Sequence, residues 1–272
     1  MTEFKSGDPI PQSGLDMGAT IAWYTRNTNI LSDRIPPGTD SLPFPITDIQ
    51  YSALNQEEIA AIINLFPPQA IARSRLQNDG SIIGKPTLYF AQDTTPENIT
   101  TTSEISNALS PTAIIPSYTD NTRWNKTGKS TSDIWLFEIP NYIDPEVRRI
   151  IHAEGLAHEL AHTLVTQILY SSEEYKLKLP GGKTVDGNDY LMSFASAAEN
   201  HPPISHYSSS YRKDGEEFKA LSAIDEEIVE TIAAHLLGFV FCRDEERRLD
   251  PLADRSEIQS LIDDFLHAEL VE

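Results

Sequence analysis

The run His158-Glu159-Leu160-Ala161-His162 lies inside a long segment of apolar residues at helical spacing, and no other feature constrains the chain as strongly. Residues four apart on an α-helix stand one above the other, so His158 and His162 can present two imidazole nitrogens to a single metal ion. Glu159 sits one step round the helix, where a base is needed beside the open coordination position. The helix is predicted independently of the motif. Asp144-Pro145-Glu146 offers a capping carboxylate, a proline tolerated at the first helical position and an acidic first turn. Val147, Ile150, Ile151, Ala157, Leu160, Ala161, Leu164, Val165, Ile168 and Leu169 then recur with the period of a helix running through a core. Gly155 is its weak point, costing roughly 1 kcal/mol against alanine. Either the helix begins near His152 or the glycine lets another backbone approach closely.

A catalytic zinc site takes three protein ligands and leaves a fourth position open, so a third ligand is expected downstream. Val165 and Ile168 stand three and six residues after His162, where a metzincin carries glycine and histidine, so that subclass is excluded. A second helix is expected over Ser222 to Gly238, with Ser222 and Asp225 as a capping-box variant and Ile224, Ile228, Ile232 and Leu236 as its apolar stripe. Glu226 and Glu230 fall on a neighbouring stripe that continues through the small residues Ala233 and Ala234. If this helix crosses the first one, Glu226 is the third zinc ligand. Glu230, one turn on, then accepts the outer N–H of a liganding histidine. Glu227 is the rival ligand, separated from Glu226 only by helix phase. His201, His206 and His235 read as surface histidines, and the lone Cys242 as a small buried hydrophobe.

The pairing of HExxH with a later glutamate helix resembles the gluzincin group of zinc metallopeptidases. Ile204-Ser205-His206-Tyr207-Ser208, ahead of Glu226-Glu227-Ile228-Val229-Glu230, is similar to the anthrax lethal factor-like branch, and the likeness runs from about Ile134 to Gly238. It implies zinc held by His158, His162 and Glu226, with Glu159 as general base and Glu230 behind a ligand. It also implies a phenol that donates to the oxyanion. Tyr207 takes that role by the likeness, and Tyr211 is the alternative. The implied reaction is hydrolysis of a peptide bond. Two other readings share the same cleft: a catalytically silent zincin-like module that binds a partner protein, and a zinc amidase acting on a non-peptide amide.

Composition limits the partners. The 272 residues include 21 basic and 41 acidic ones, for a net charge of −20, which disfavours nucleic acid and anionic membranes and leaves a protein or peptide substrate. The first residues are polar and no apolar run approaches 18 residues, so no signal peptide or membrane span is expected. A single cysteine excludes an intramolecular disulfide framework and points to the cytoplasm or to export without a cleaved signal.

The expected fold is α+β and zincin-like, a small mixed sheet beside the HExxH helix and the helix with the third ligand. Residues 1–50, with six prolines, read as an extended arm, and residues 51–272 as the catalytic domain. A helix is expected from Asn55 to Phe66, closed by Pro67-Pro68, and strands at Thr87 to Ala91 and Ala113 to Ile115. Ser132 to Ile139 reads as a further strand, the sheet edge above the cleft, able to pair with an extended peptide. The turn-rich stretch from Pro180-Gly181-Gly182 through Asp186-Gly187-Asn188 reads as a hairpin or surface loop. A last helix is expected from about Arg255 to Leu270.

Overall fold

A computed structural model of the chain describes residues 31, 45–74, 87–91, 117–120, 133–139, 141–170, 174–205, 207–212, 217–240 and 249–271. It is a mixed α+β arrangement with small sheets, as expected at that level. The elements that matter are β1 (Ile46–Thr47), α1 (Gln56–Ile63), α2 (Pro68–Arg73), β2 (Leu88–Ala91), β3 (Ser117–Asp120), β4 (Asp133–Phe137) and α3 (Pro145–Leu169). After them come β5 (Lys176–Lys178), β6 (Thr184–Asp186), α4 (Gly187–Glu199), α5 (Leu221–Leu237), α6 (Ser256–His267) and β7 (Glu269–Val271). No helix among the described residues is long and apolar enough to cross a membrane. Most of the residues 1–50 read as an arm, the strand expected at Ala113 to Ile115, His206 and Cys242 lie outside the described residues.

Strand β1 belongs to the larger sheet, whose order is β1-β2-β4-β3. β1 and β2 run parallel, as do β2 and β4, and β3 pairs antiparallel with β4. β4 is therefore an interior strand and not the edge that its sequence suggested. Its aromatic and β-branched content fits a strand but carries no information about its neighbours. The edge beside β4 is β3. Alternation divides the faces: Leu88, Phe90, Ile134 and Leu136 enter the main core, whereas Trp135 packs with Ala91 and Phe137 on the other side. Tyr89 and Trp135 lie opposite each other in register and stack at 4.4 Å, a cross-strand pair of the kind that fixes register.

Helix α3 packs beneath β3 and β4. Asp144 caps it, accepting hydrogen bonds from the backbone N–H groups of Glu146 and Val147, and Pro145 occupies its first turn. The helix passes through the buried Gly155 without a break, so it does not begin near His152. His152 is fully buried and fixes the helix to two neighbours. Its Nε2 lies 2.8 Å from the Phe137 carbonyl at the end of β4, and its Nδ1 accepts the Ala53 N–H at 3.0 Å. Farther out, Arg149 on α3 bridges Glu146 and Glu58, and Glu58 also closes a capping box with Asn55 at the start of α1. α1 stops at Ile63, short of the Phe66 expected, and Pro67-Pro68 follows after a turn, with Pro68 opening α2 at the first-turn position where a missing N–H costs nothing.

After α3, Gly182 adopts φ +80 in the β5–β6 hairpin, the turn expected at Pro180-Gly181-Gly182. The far end of that turn-rich stretch leaves the hairpin, since Asp186 ends β6 and Gly187-Asn188 open α4. Asp186 caps α4 through the Asp189 N–H, and the same small polar residues serve both purposes. The last helix stops at His267, and residues 269–271 form β7, which completes the small sheet β6-β5-β7. Helix α5 begins after Ala220 with no side-chain cap, so the expected Ser222 and Asp225 capping box does not form. Gly238, at φ 70, ends it in a left-handed cap.

Candidate metal centre

Helices α3 and α5 pack together more extensively than any other pair of described elements. His158 meets Glu230, His162 meets Glu226 and Thr166 meets Asp225, so the two helices run in opposite senses across the contact. The small residues Ala157, Ala161, Ala233 and Ala234 are all buried. Their short side chains permit this closeness and let the polar groups in the centre meet.

His158 Nε2, His162 Nε2 and one oxygen of Glu226 face one another. The imidazole nitrogens are 3.0 Å apart, and Glu226 Oε2 lies 3.5 Å from the first and 3.7 Å from the second. A tetrahedral ion bound at about 2.0–2.1 Å needs ligand atoms roughly 3.3 Å apart, so the three edges suit a zinc-sized cation. Among the described residues this is the one cluster of histidine, cysteine and acidic groups spaced to hold a metal. Two imidazoles and a carboxylate are a donor set that zinc favours.

The outer faces of the imidazoles are held by carboxylates. His158 Nδ1 lies 2.6 Å from Glu230 Oε1, and His162 Nδ1 lies 3.5 Å from Asp225 Oδ1 and 3.4 Å from the Thr166 hydroxyl. In the neutral rings, carboxylates there place the proton on Nδ1 and leave Nε2 as a bare lone pair. Two lone pairs then converge on Glu226 Oε2, which is itself buried with no hydrogen-bond donor. Three acceptors aimed at one point repel unless positive charge lies between them.

The negative groups around the imidazoles favour positive charge at this point, carried by ring protons or by a metal ion. Burial pushes the Glu226 carboxyl up from its ordinary value, with both histidines acting against it. Burial by itself would lower His162, but the charges of Asp225 and Glu226 outweigh it and raise the imidazole. His158 is raised in the same way by its hydrogen bond to Glu230 and by that residue's charge. For Glu230, burial acts upward, and its hydrogen bond to His158 overcomes this and holds the carboxyl below the usual range. Glu159 is buried and adds its negative charge at both imidazoles.

Tyr207 completes the centre. Its ring stands edge-on to His158 at 6.1 Å, and its hydroxyl lies 2.9 Å from that of Tyr211. Burial and then the Glu226 charge push the Tyr207 phenol well up, and the same two causes raise Tyr211 to about 12. Both phenols are therefore protonated at neutral pH. At the end of α3 the exposed Tyr170 is also raised, by partial burial and then by Asp225 and Glu226, so it stands close to the same charges.

The structure thus gathers His158, His162, Glu226, Glu159, Glu230, Tyr207 and Tyr211. It does not gather Glu227, which turns away to Arg212, nor His235, which pairs with Asp263. His201 is half-buried, and its carbonyl accepts from Arg212. Asp225 and Thr166 are residues that sequence reasoning missed. Thr166 lies four residues after His162, one turn along the same face, and that spacing was the available signal.

No family model, curated protein or solved structure matches this chain.

Proposed function

We propose that this chain is a zinc-dependent metallopeptidase with a zincin-like arrangement of sheet and helices. The observation that carries the reading is the convergence of three lone-pair atoms from His158, His162 and Glu226, each imidazole backed by a carboxylate. The antiparallel edge strand above the HExxH helix, and the glutamate helix packed against that helix, support the architecture. The likeness to gluzincins, and to the lethal factor-like branch among them, rests on the residues of the motif and the tyrosine phrase.

Zinc held there would lower the pKa of a bound water towards 7 and polarise a carbonyl. Glu159, next to His158 in the chain, takes the proton from the attacking water and hands it to the leaving amine nitrogen as the C–N bond breaks. The Tyr207 phenol, kept protonated by burial beside Glu226, donates a hydrogen bond to the oxyanion that develops on the substrate carbonyl. One such donor is worth about 3 kcal/mol of barrier. Glu230 and Asp225 orient the two imidazoles. An extended peptide has a backbone to pair with at β3, whose outer edge has no strand partner among the described residues.

Cleavage of fluorescein-labelled casein by zinc-loaded protein, with Glu159→Gln beside it, tests the reading. The expected result is activity in the wild type and a loss of at least ~100-fold in a variant that still holds zinc. Equal activity in both proteins would rule out Glu159 as the base. A zinc-loaded wild type that cleaves neither casein nor a mixed peptide library would point instead to a binding module.

A further inference from the structure

Residues 200–212 connect α4 to the tyrosines, and one buried ion pair anchors this loop at three points. The side chains of Arg212 and Glu227 are each 1% exposed and meet at 3.3 Å. Arg212 Nη2 also donates to the carbonyl of Ala198, in the last turn of α4, at 2.9 Å and to the carbonyl of His201 at 3.0 Å. Glu227 Oε1 accepts the Ile204 N–H at 3.2 Å, and the Arg212 guanidinium lies 4.9 Å over the Phe218 ring. The start, middle and end of the loop are thereby tied to a single carboxylate on α5.

The position of that carboxylate matters. Glu227 follows Glu226 in the chain, and a helix turns about 100° per residue. The same turn of α5 therefore offers Glu226 to the two histidines and Glu227 to the loop. Between the anchors the loop is braced internally. Ser205 N–H donates to the Ser208 hydroxyl at 3.0 Å, Ser208 N–H donates to the Ser205 hydroxyl at 2.9 Å, and residues 208–210 form a single 3-10 turn. That turn separates Tyr207 from Tyr211 and brings their hydroxyls to 2.9 Å.

Stability alone does not account for the ion pair. Burying a carboxylate and a guanidinium costs several kcal/mol per ion, recovered only when every polar atom is satisfied. Here Arg212 Nε and Nη1 have no hydrogen-bond partner. A packed apolar pair would hold the loop to α5 at lower cost, but without the directional bonds to Ala198, His201 and Ile204.

We infer that Arg212 and Glu227 are positioning residues which lock the phenol of Tyr207 beside the metal ligands and act on the reaction through it. The inference rests on the peptidase reading for its catalytic consequence, but the lock itself is a property of the loop. Two readouts separate these. Hydrogen exchange on Arg212→Met should show amides 201–212 exchanging at least ~10-fold faster, with those of α3 unchanged and with zinc content equal to wild type. In casein turnover, Arg212→Met should lose the same factor as Tyr207→Phe, and the double variant should lose no more than either one.

Unchanged exchange in the loop would overturn the lock. Equal acceleration in α3 and the loop, or loss of zinc, would mean that the pair supports the whole helix interface. Additive losses in the double variant would show that it does not act through Tyr207. If Arg212→Met fails to fold, Glu227→Gln carries the same tests, because it keeps an acceptor for Ile204 and removes only the charge. A zinc-loaded wild type without peptidase activity would end the peptidase reading and the catalytic arm, while the exchange result would still decide the lock.

Discussion

His152 makes the packing of α3 against the sheet sensitive to acid. Burial, with a smaller push from Arg148, lowers its pKa from the ordinary 6.5 to about 4. The physical reason is visible in its bonds: Nε2–H donates to the Phe137 carbonyl, so Nδ1 must stay bare to accept the Ala53 N–H. Protonation would aim one N–H at another inside the core. Because the folded value is depressed, the unfolded chain binds the proton first. The stability that the neutral ring contributes is therefore complete above pH 6.5 and is lost as the pH falls towards 4. The difference of about 2.5 pH units, at ~1.36 kcal/mol each, is worth about 3 kcal/mol in all, of which about 2 kcal/mol is gone by pH 5. Other groups titrate in this range, so the assay is a double difference. Urea unfolding of wild type and His152→Gln is measured at pH 7.5 and at pH 5. The variant should be less stable by 1–3 kcal/mol at pH 7.5 through its lost hydrogen bonds. That gap should shrink by about 2 kcal/mol at pH 5. A gap that stays constant with pH would refute the reasoning.

Glu230→Gln removes the carboxylate that fixes the His158 tautomer, and zinc affinity measured by chelator competition should fall about 10–100-fold with the fold intact. Asp225→Asn should act on His162 in the same direction but more weakly, since its oxygen lies at 3.5 Å rather than 2.6 Å. Gly187→Ala would place a Cβ 3.0 Å from Ile168 Cγ2 and 3.1 Å from the Tyr175 carbonyl, and the carbonyl belongs to backbone that cannot turn aside. It should cost about 1–3 kcal/mol, read as a fall in melting temperature, and an unchanged melt would show that the β6–α4 junction has room.

The parts of this molecule that local chemistry decides were legible in its sequence. The cap at Asp144, the stripe of α3 and the hairpin at Gly182 each depend on residues within a turn of one another. So does the pairing of His158 with His162. What escaped depends on neighbours distant in the chain. β4 has the composition of a strand, but its place inside the sheet is set by β3, which no sequence signal announced. Asp225 has the chemistry of a cap and lies near the start of a helix, yet the approach of Thr166 and His162 from α3 draws it into the metal centre. Glu226 and Glu227 differ by one step of helix phase, and only the position of α3 on one side and Arg212 on the other gives them different partners. Arg212 itself stands in a polar stretch, where nothing marks it as buried.

The central claim is that His158, His162 and Glu226 hold one zinc ion, and elemental analysis of protein purified after zinc supplementation tests it without knowledge of the substrate. The account predicts about one zinc per chain in the wild type, and its loss in both His162→Ala and Glu226→Ala, with circular dichroism showing the variants folded. Folded wild type without zinc, or zinc retained in both variants, would contradict it.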